Sequence, residues 1–187
     1  MRTTRKLAPV WLAVALVCSG RHVHARDAVV DEARNAEHPT AIALNWGIAS
    51  AVGLFGVTLT RALHRSFRVE AGAGLGFSGW QLSLMPRAVF FQGRDHFITG
   101  VGVAAAFPAN PKVSDGHPVW LNVDAIGYEH RFPNGVAVSV FAGITYGLGG
   151  GNFCDDAIAV LCDEPTYKDP VRGQGGAQTR IQLARWF

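Results

Sequence analysis

Three stretches of this chain carry the same measure. Phe67 and Phe77, Trp80 and Phe90, and Phe97 and Phe107 each stand ten residues apart, and between the members of each pair apolar residues recur at every second position, Thr99 excepted. In the first stretch Phe67, Val69, Ala71, Ala73, Leu75 and Phe77 fall on one side, against Arg68, Glu70, Gly72, Gly74 and Gly76 on the other. A period of two is the period of a β-strand, whose successive side chains point to opposite faces. A chain built from such segments must give its bulky face and its small, charged face two different surroundings.

The alternation predicts eight strands. Over 41–52, Ile42, Leu44, Trp46 and Ile48 oppose Ala43, Asn45, Gly47 and Ala49. A tight reversal near Gly53 leads to a second strand over 54–63, with Phe55, Val57 and Leu59 opposing Gly56, Thr58 and Thr60. The third covers 67–77 and the fourth 80–90, where Pro86 is tolerable only at a bulge or a weakly paired point. The fifth, over 97–107, sets Phe97, Val101, Val103 and Phe107 against Ile98, Gly100, Gly102 and Ala104. A polar loop over 109–118 precedes the sixth strand, 119–132. There Leu121, Val123 and Ala125 share one face but Ile126 and Tyr128 the other, so a bulge is expected near Gly127. Pro133-Asn134-Gly135 is a tight-turn signal. The seventh strand sets Val136, Val138, Val140, Ala142, Ile144 and Tyr146 against Ser139, Phe141, Gly143 and Thr145. A long segment over 149–173 leads to the eighth, 174–187. The short turns at 64–66, 93–95 and 133–135 then fall on the side of the termini and both long loops on the opposite side, as in membrane barrels.

Ahead of the strands, Arg2, Arg5 and Lys6 precede an apolar run from Leu7 to Val17, and Val23-His24-Ala25 offers small residues where a signal peptidase cuts. Residues 1–25 therefore read as a secretory signal, 26–38 as a charged periplasmic lead, and 39–187 as the barrel domain. The signal holds four of the 17 Lys and Arg and none of the 14 Asp and Glu, leaving 13 against 14 and a formal net charge of −1. Nothing in that balance calls for nucleic acid. Cys154 and Cys162 remain in a chain addressed to an oxidising compartment, where a disulfide is the default. It would close a short loop and stabilise it by at most about 3 kcal/mol. Metal binding by the acidic residues around it matches no standard spacing.

Alternation by itself fits two kinds of barrel: one with its apolar face outward in lipid, the other with that face inward around a ligand. Size and charge separate them. The apolar face is bulky and aromatic-ended, whereas the other is glycine, alanine, serine and a few charges. Ten residues at about 3.3 Å each span roughly 33 Å, which a tilt near 45° projects to about 24 Å, close to the apolar height of a membrane barrel. Phe67, Phe77, Trp80, Phe90, Phe97, Phe107 and Tyr146 would then form aromatic girdles. The class expected is all-β, an eight-stranded antiparallel up-and-down transmembrane β-barrel.

In the last stretch, QTRIQLARWF, Ile181, Leu183 and Phe187 alternate toward a terminal aromatic. It resembles the sorting signal of bacterial outer-membrane β-barrels, which the assembly machinery reads from a last strand ending in Phe. Arg185 stands where that family usually has an aromatic or aliphatic residue; a long cation can snorkel toward headgroups from there. From Ala41 onward the layout resembles small eight-stranded outer-membrane barrels of the OmpA/OmpX kind. The resemblance implies Phe187 as an assembly signal, the bacterial outer membrane as location, lipid and lipopolysaccharide with the assembly machinery as partners, and a monomer without a cofactor.

The inward residues Arg68, Glu70, Gln81, Arg87, Asp124, Arg180 and Gln182 would share a narrow lumen. An eight-stranded interior is just wide enough for side chains to fill, and buried charges must pair. A salt-bridged plug is expected, with a narrow small-solute conduit as the alternative. Some barrels of this size are lipid-modifying enzymes, and His117, Ser114 and Asp115 share an outer loop, but the His-Ser-Asn pattern of the deacylases is absent and no catalytic residue is assigned. His64, His96 and His130 sit near turn ends and read as interface residues. The expected role is structural or interactive, through the loops over 109–118 and 149–173.

Overall fold

The structure, a computed structural model, describes residues 39–76, 79–91, 93–108, 114–153 and 169–187. The expected signal and lead, the girdle residue Phe77, and Cys154 and Cys162 lie outside the described residues.

The strands are β1 (Thr40–Ile48), β2 (Phe55–His64), β3 (Phe67–Gly76), β4 (Gly79–Phe90), β5 (Asp95–Phe107), β6 (Ser114–Arg131), β7 (Val136–Phe153), the two-residue β8 (Asp169–Pro170) and β9 (Gly175–Trp186). β1 to β7 pair antiparallel in sequence order, β7 pairs β9, and β9 returns to β1. β8 only extends the far end of β7. The protein is thus an all-β, closed, eight-stranded antiparallel up-and-down barrel. Closure gives each of the eight barrel strands a neighbour on both sides over most of its length, and so removes most of the sheet edge that would otherwise offer unpaired backbone groups. The seam is finished at the chain end: the Phe187 N–H donates to the Thr40 carbonyl at 2.9 Å, and Thr40 N–H to the Phe187 carbonyl at 3.3 Å.

The alternation is realised with its bulky side outward. Ile42, Leu44, Trp46, Phe55, Val57, Leu59, Val138, Val140, Ile144, Ile181 and Leu183 are exposed, whereas Asn45, Thr58, Arg68, Glu70, Arg87, Asp124, Arg180 and Gln182 are buried. Phe67, Trp80, Phe90, Phe107 and Tyr146 are exposed as well. Strand register joins some of them into rows: Trp46 lies opposite Phe55, Phe55 opposite Leu75, Leu75 opposite Trp80, and Trp80 opposite Phe107. Nearer the termini Phe90 lies opposite Phe97, whose ring meets Tyr128 edge-on at 5.8 Å. Pro86 keeps its pairing with Val69 of β3, while the pairing of β4 with β5 is interrupted between Leu84 and Arg87. The prolyl nitrogen, which cannot donate, sits on that gap.

Three departures from the sequence reading have physical causes. The bulge expected near Gly127 is present in β6 and is displaced two residues, to Ala125, between the pairs Asp124 to Gly143 and Ile126 to Ala142. Ala125 and Ile126 both face out, and the Thr99 hydroxyl donates to the Asp124 carbonyl at 2.9 Å across the irregularity. Secondly, β6 and β7 continue past the expected loop boundaries as a ribbon, with Ser114 opposite Phe153 and Gly116 opposite Gly151. Its Pro and Gly content reads as loop, yet Gly116, Gly149 and Gly150 take positive φ and bend a paired ribbon instead of ending it.

The third departure concerns the link from β1 to β2. It is not a simple reversal but a tuck into the barrel. The chain leaves the wall at Ala49 with φ of 52°, a left-handed conformation, and Ser50 and Gly53 close a turn through the Gly53 N–H and the Ser50 carbonyl at 2.9 Å. Val52 is thereby carried inside, fully buried, over Gly56, Gly72 and Gly74. A Cβ on Gly72 would stand 2.5 Å from a Val52 methyl, and one on Gly74 would strike the Val52 carbonyl. These glycines make room for an internal lid segment.

Gly74→Ala is therefore expected to cost about 1–3 kcal/mol through overpacking, whereas Gly176→Ala, where nothing lies near the added carbon, should be neutral or stabilising by up to about 1 kcal/mol. Urea midpoints of the two refolded variants measure this; equal shifts would show that Val52 does not occupy the hollow.

Candidate functional site: the charged lumen and the space above it

Within the barrel the ionic side chains form two layers. In the middle layer Arg87 of β4 and Arg180 of β9 stand between Glu70 of β3 and Asp124 of β6. The Arg87 Nη2 donates to Glu70 Oε1 at 2.8 Å and to Asp124 Oδ2 at 3.0 Å; Arg180 Nη1 reaches the same Glu70 oxygen at 2.9 Å, and its Nη2 the same Asp124 oxygen at 2.7 Å. Each carboxylate thus meets two guanidinium groups and each guanidinium two carboxylates, so the layer is formally neutral. Phe141 of β7 lies against both cations, 4.4 Å from Arg87 and 4.6 Å from Arg180 measured to its ring centroid. It offers its π-face where more water would otherwise be needed. Gly127 gives the ring its place, since a Cβ there would stand 2.4 Å from the Phe141 ring.

Neutral amides and hydroxyls complete the layer. Gln182 Nε2 donates to Glu70 Oε2 and to Thr58 Oγ1, both at 3.0 Å; Gln178 Nε2 donates to Asp124 Oδ1 at 3.0 Å; Asn45 Nδ2 donates to Thr58 Oγ1 at 3.0 Å. Glu70 is 1% exposed and Asp124 3%, so neither relies on solvent for its partners.

The second layer lies toward the termini. Glu129 of β6 accepts from Arg68 Nη1 at 2.9 Å and from Arg131 Nε at 2.8 Å. Both guanidinium groups lie over the Trp186 ring, at 4.9 Å and 3.7 Å from its centroid. His96 is buried beside them, opposite Glu129 across the β5–β6 pair, with Nδ1 3.0 Å from the Phe91 carbonyl.

Of the lumen residues read from the sequence, Glu70, Arg87, Asp124, Arg180 and Gln182 meet in the middle layer and Arg68 in the terminal one. Gln81 stands apart, nearer the distal rim beside Gly76. Glu129, Arg131, Phe141, Gln178 and Asn45 were not singled out from sequence. The β6 parity change contained the signal for Glu129: it lies five positions after Asp124, so regular alternation would put the two on opposite faces, and only the bulge brings both inside. His96, placed at an interface by its nearness to a turn, is instead inward, as its position next to outward Phe97 requires. His130 stays at the rim with Nδ1 2.7 Å from Asp95 Oδ1, and Tyr128 donates to that same oxygen. Arg185 points to the β6–β7 turn, where its Nη1 donates to the Asn134 carbonyl at 2.5 Å. His117 packs on the Phe107 ring, centroids 5.3 Å apart.

Above the middle layer the character changes. Between the tucked segment and β4 to β7 lies a cavity of about 170 Å³, lined by Leu54, Gln81, Ala104, Trp120, Asn122 and Thr145 among others, with no charged side chain in its wall. No protein-family model, curated protein or solved structure matches the chain.

Taking two charges out of water costs more than their attraction always returns, but leaving one behind alone costs further. Arg180→Leu is expected to destabilise the barrel by about 3–5 kcal/mol, and adding Asp124→Leu to recover a large part of that loss. Urea titration of both variants is the check; additive losses would show that the two groups are not coupled.

Proposed function

We propose that the protein is an integral outer-membrane β-barrel of a Gram-negative bacterium, monomeric, with a closed polar lumen and a structural or surface-interaction role. The observation that carries this reading is the inverted distribution of side chains: the barrel's outer wall is aromatic and aliphatic, and its ionised groups are inside. Soluble monomers rarely expose continuous apolar patches beyond a few hundred Å², and here apolar rows pass from strand to strand around the wall. Lipid is the solvent that suits such a surface. Its partners are membrane lipid, lipopolysaccharide and the barrel-assembly machinery, with residues 1–25 as the export signal and Phe187 as the terminal assembly residue. The β6–β7 ribbon and the neighbouring distal segments are the parts presented to the exterior.

The middle layer favours a sealed barrel over a small-solute channel, because a water path would need Arg87 and Arg180 to separate from Glu70 and Asp124. We assign the protein no catalytic role; His117 is engaged with Phe107, and no cofactor is called for. Outer-membrane fractions should yield a compact species whose gel migration shifts on boiling and which conducts nothing in a planar bilayer. Discrete conductance would replace the sealed reading by the channel, and a soluble species without a shift would refute the membrane placement.

Two substitutions sharpen this. Val140→Arg, on the outer wall, is expected to cost about 2–4 kcal/mol in a bilayer, against a small effect of Ser139→Ala, whose hydroxyl makes only a 3.4 Å contact with Glu129. Comparable tolerance at both positions would reverse the faces. Deleting Phe187 should leave refolding in detergent largely intact but lower outer-membrane levels in cells, as measured by fractionation.

A further inference from the structure

The barrel wall is incomplete next to the distal cavity. β1 and β9 are paired from Ala41 and Trp186 up to Ile48 and Thr179, where the pairing stops. β9 itself begins four residues earlier, at Gly175, and over 175–178 it is paired with β7 alone. β1 cannot continue beside it because the chain turns inward at Ala49. Among the described residues no strand covers that edge of β9. Its inward position there is Gly176, with open space where a side chain would stand. The cavity begins at Ile48 and Ala49 on the other side of this gap and runs inward to Trp120, Asn122 and Thr145.

We propose that this notch is a lateral portal and that the cavity holds one alkyl chain drawn from the surrounding membrane. The proposal rests on the membrane reading given above. Three features fit a hydrocarbon occupant. The wall carries no charged side chain, and its polar side chains are the neutral Ser50, Gln81, Asn122 and Thr145 with the indole of Trp120. An apolar cavity of roughly 150 Å³ stays dry and takes up a benzene-sized molecule, so about 170 Å³ accommodates the end of an alkyl chain and not a whole lipid. The notch opens beside Ile48, Phe55 and Ile144, which are 64%, 59% and 57% exposed on the outer wall. A chain passing between Ile48 and Gly176 would therefore leave one apolar surface for another. The charged middle layer closes the path below and confines the occupant to the distal half.

The test uses the full-length protein, refolded into phosphatidylcholine vesicles whose acyl chains are brominated, a quencher that acts near contact. Two variants each keep a single tryptophan in the barrel, one Trp120 and the other Trp80, with the remaining tryptophans changed to Phe. Trp80 faces outward and reports the membrane itself; Trp120 faces the cavity. The expected result is quenching of Trp120 to a depth comparable with Trp80, lost when Gly176→Phe is added to fill the portal, with retained heat-shifted migration showing that this variant folds. Quenching of Trp80 but not Trp120 would overturn the portal while leaving the membrane reading standing. Absence of quenching at both would overturn the membrane reading and the portal with it. Trp120 quenching unchanged by Gly176→Phe, or by aqueous acrylamide in place of the brominated chains, would also overturn the proposal, assigning the cavity to water from the distal mouth.

Discussion

Ionised groups inside a barrel of eight strands can exist only as mutual partners, and this constraint reaches every strand that supplies one. The interior is narrow enough that the side chains fill it, so the four-membered arrangement of Arg87, Arg180, Glu70 and Asp124 is a packing solution as much as an electrostatic one. Its members come from β3, β4, β6 and β9. Their bonds fix how those strands are staggered, because a one-residue slip of any of them would turn its charge outward. Such pairs are poor sources of net stability but strong penalties against misregistered alternatives. The plug is best understood as a device for specifying one closure of the sheet.

The Ala125 bulge shows how local irregularity serves that closure. Asp124 belongs to the middle layer and Glu129 to the terminal one, and both must point inward from the same strand. An odd spacing forbids this in regular alternation. One extra residue reverses the parity and leaves Ala125 and Ile126 both outside, where apolar side chains are tolerated. Gly127 follows at once and clears the space for Phe141. Three features that look unrelated in the chain, a parity break, a glycine and an inward aromatic, are one structural unit.

Strand number, antiparallel order, turn placement and the outward face were legible because each rests on a short-range pattern repeated eight times. The inward identity of Arg68, Glu70, Arg87 and Arg180 follows from the same pattern. What escaped were features set by contacts far apart in sequence. Val52 reads as the end of the first strand, which in fact stops at Ile48, until Gly72 and Gly74 provide a hollow for it, and those glycines look like aids to close strand packing until the tucked segment is in place. Glu129 was one parity step from recognition. His96 reads as an interface residue from its nearness to a turn, but its alternation with Phe97 is the better guide and puts it inside.

The two halves of the lumen follow from one economy of volume. Toward the termini the interior is filled by long side chains that reach across to one another, and the wall there is fully paired. Toward the distal rim many inward positions are glycines, among them Gly56, Gly74, Gly102 and Gly147, and the few side chains between them, such as Gln81, Asn122 and Thr145, do not fill the barrel. Backbone fills it instead, from the tucked Ser50 to Gly53 turn and from Val171, which lies against Gly147. Drawing the end of β1 inward for that purpose takes away the neighbour that β9 would have had beyond Thr179. A gap in the wall is thus the direct consequence of plugging the distal half with chain rather than with side chains, and the uncharged space beside it is what the plug leaves unfilled.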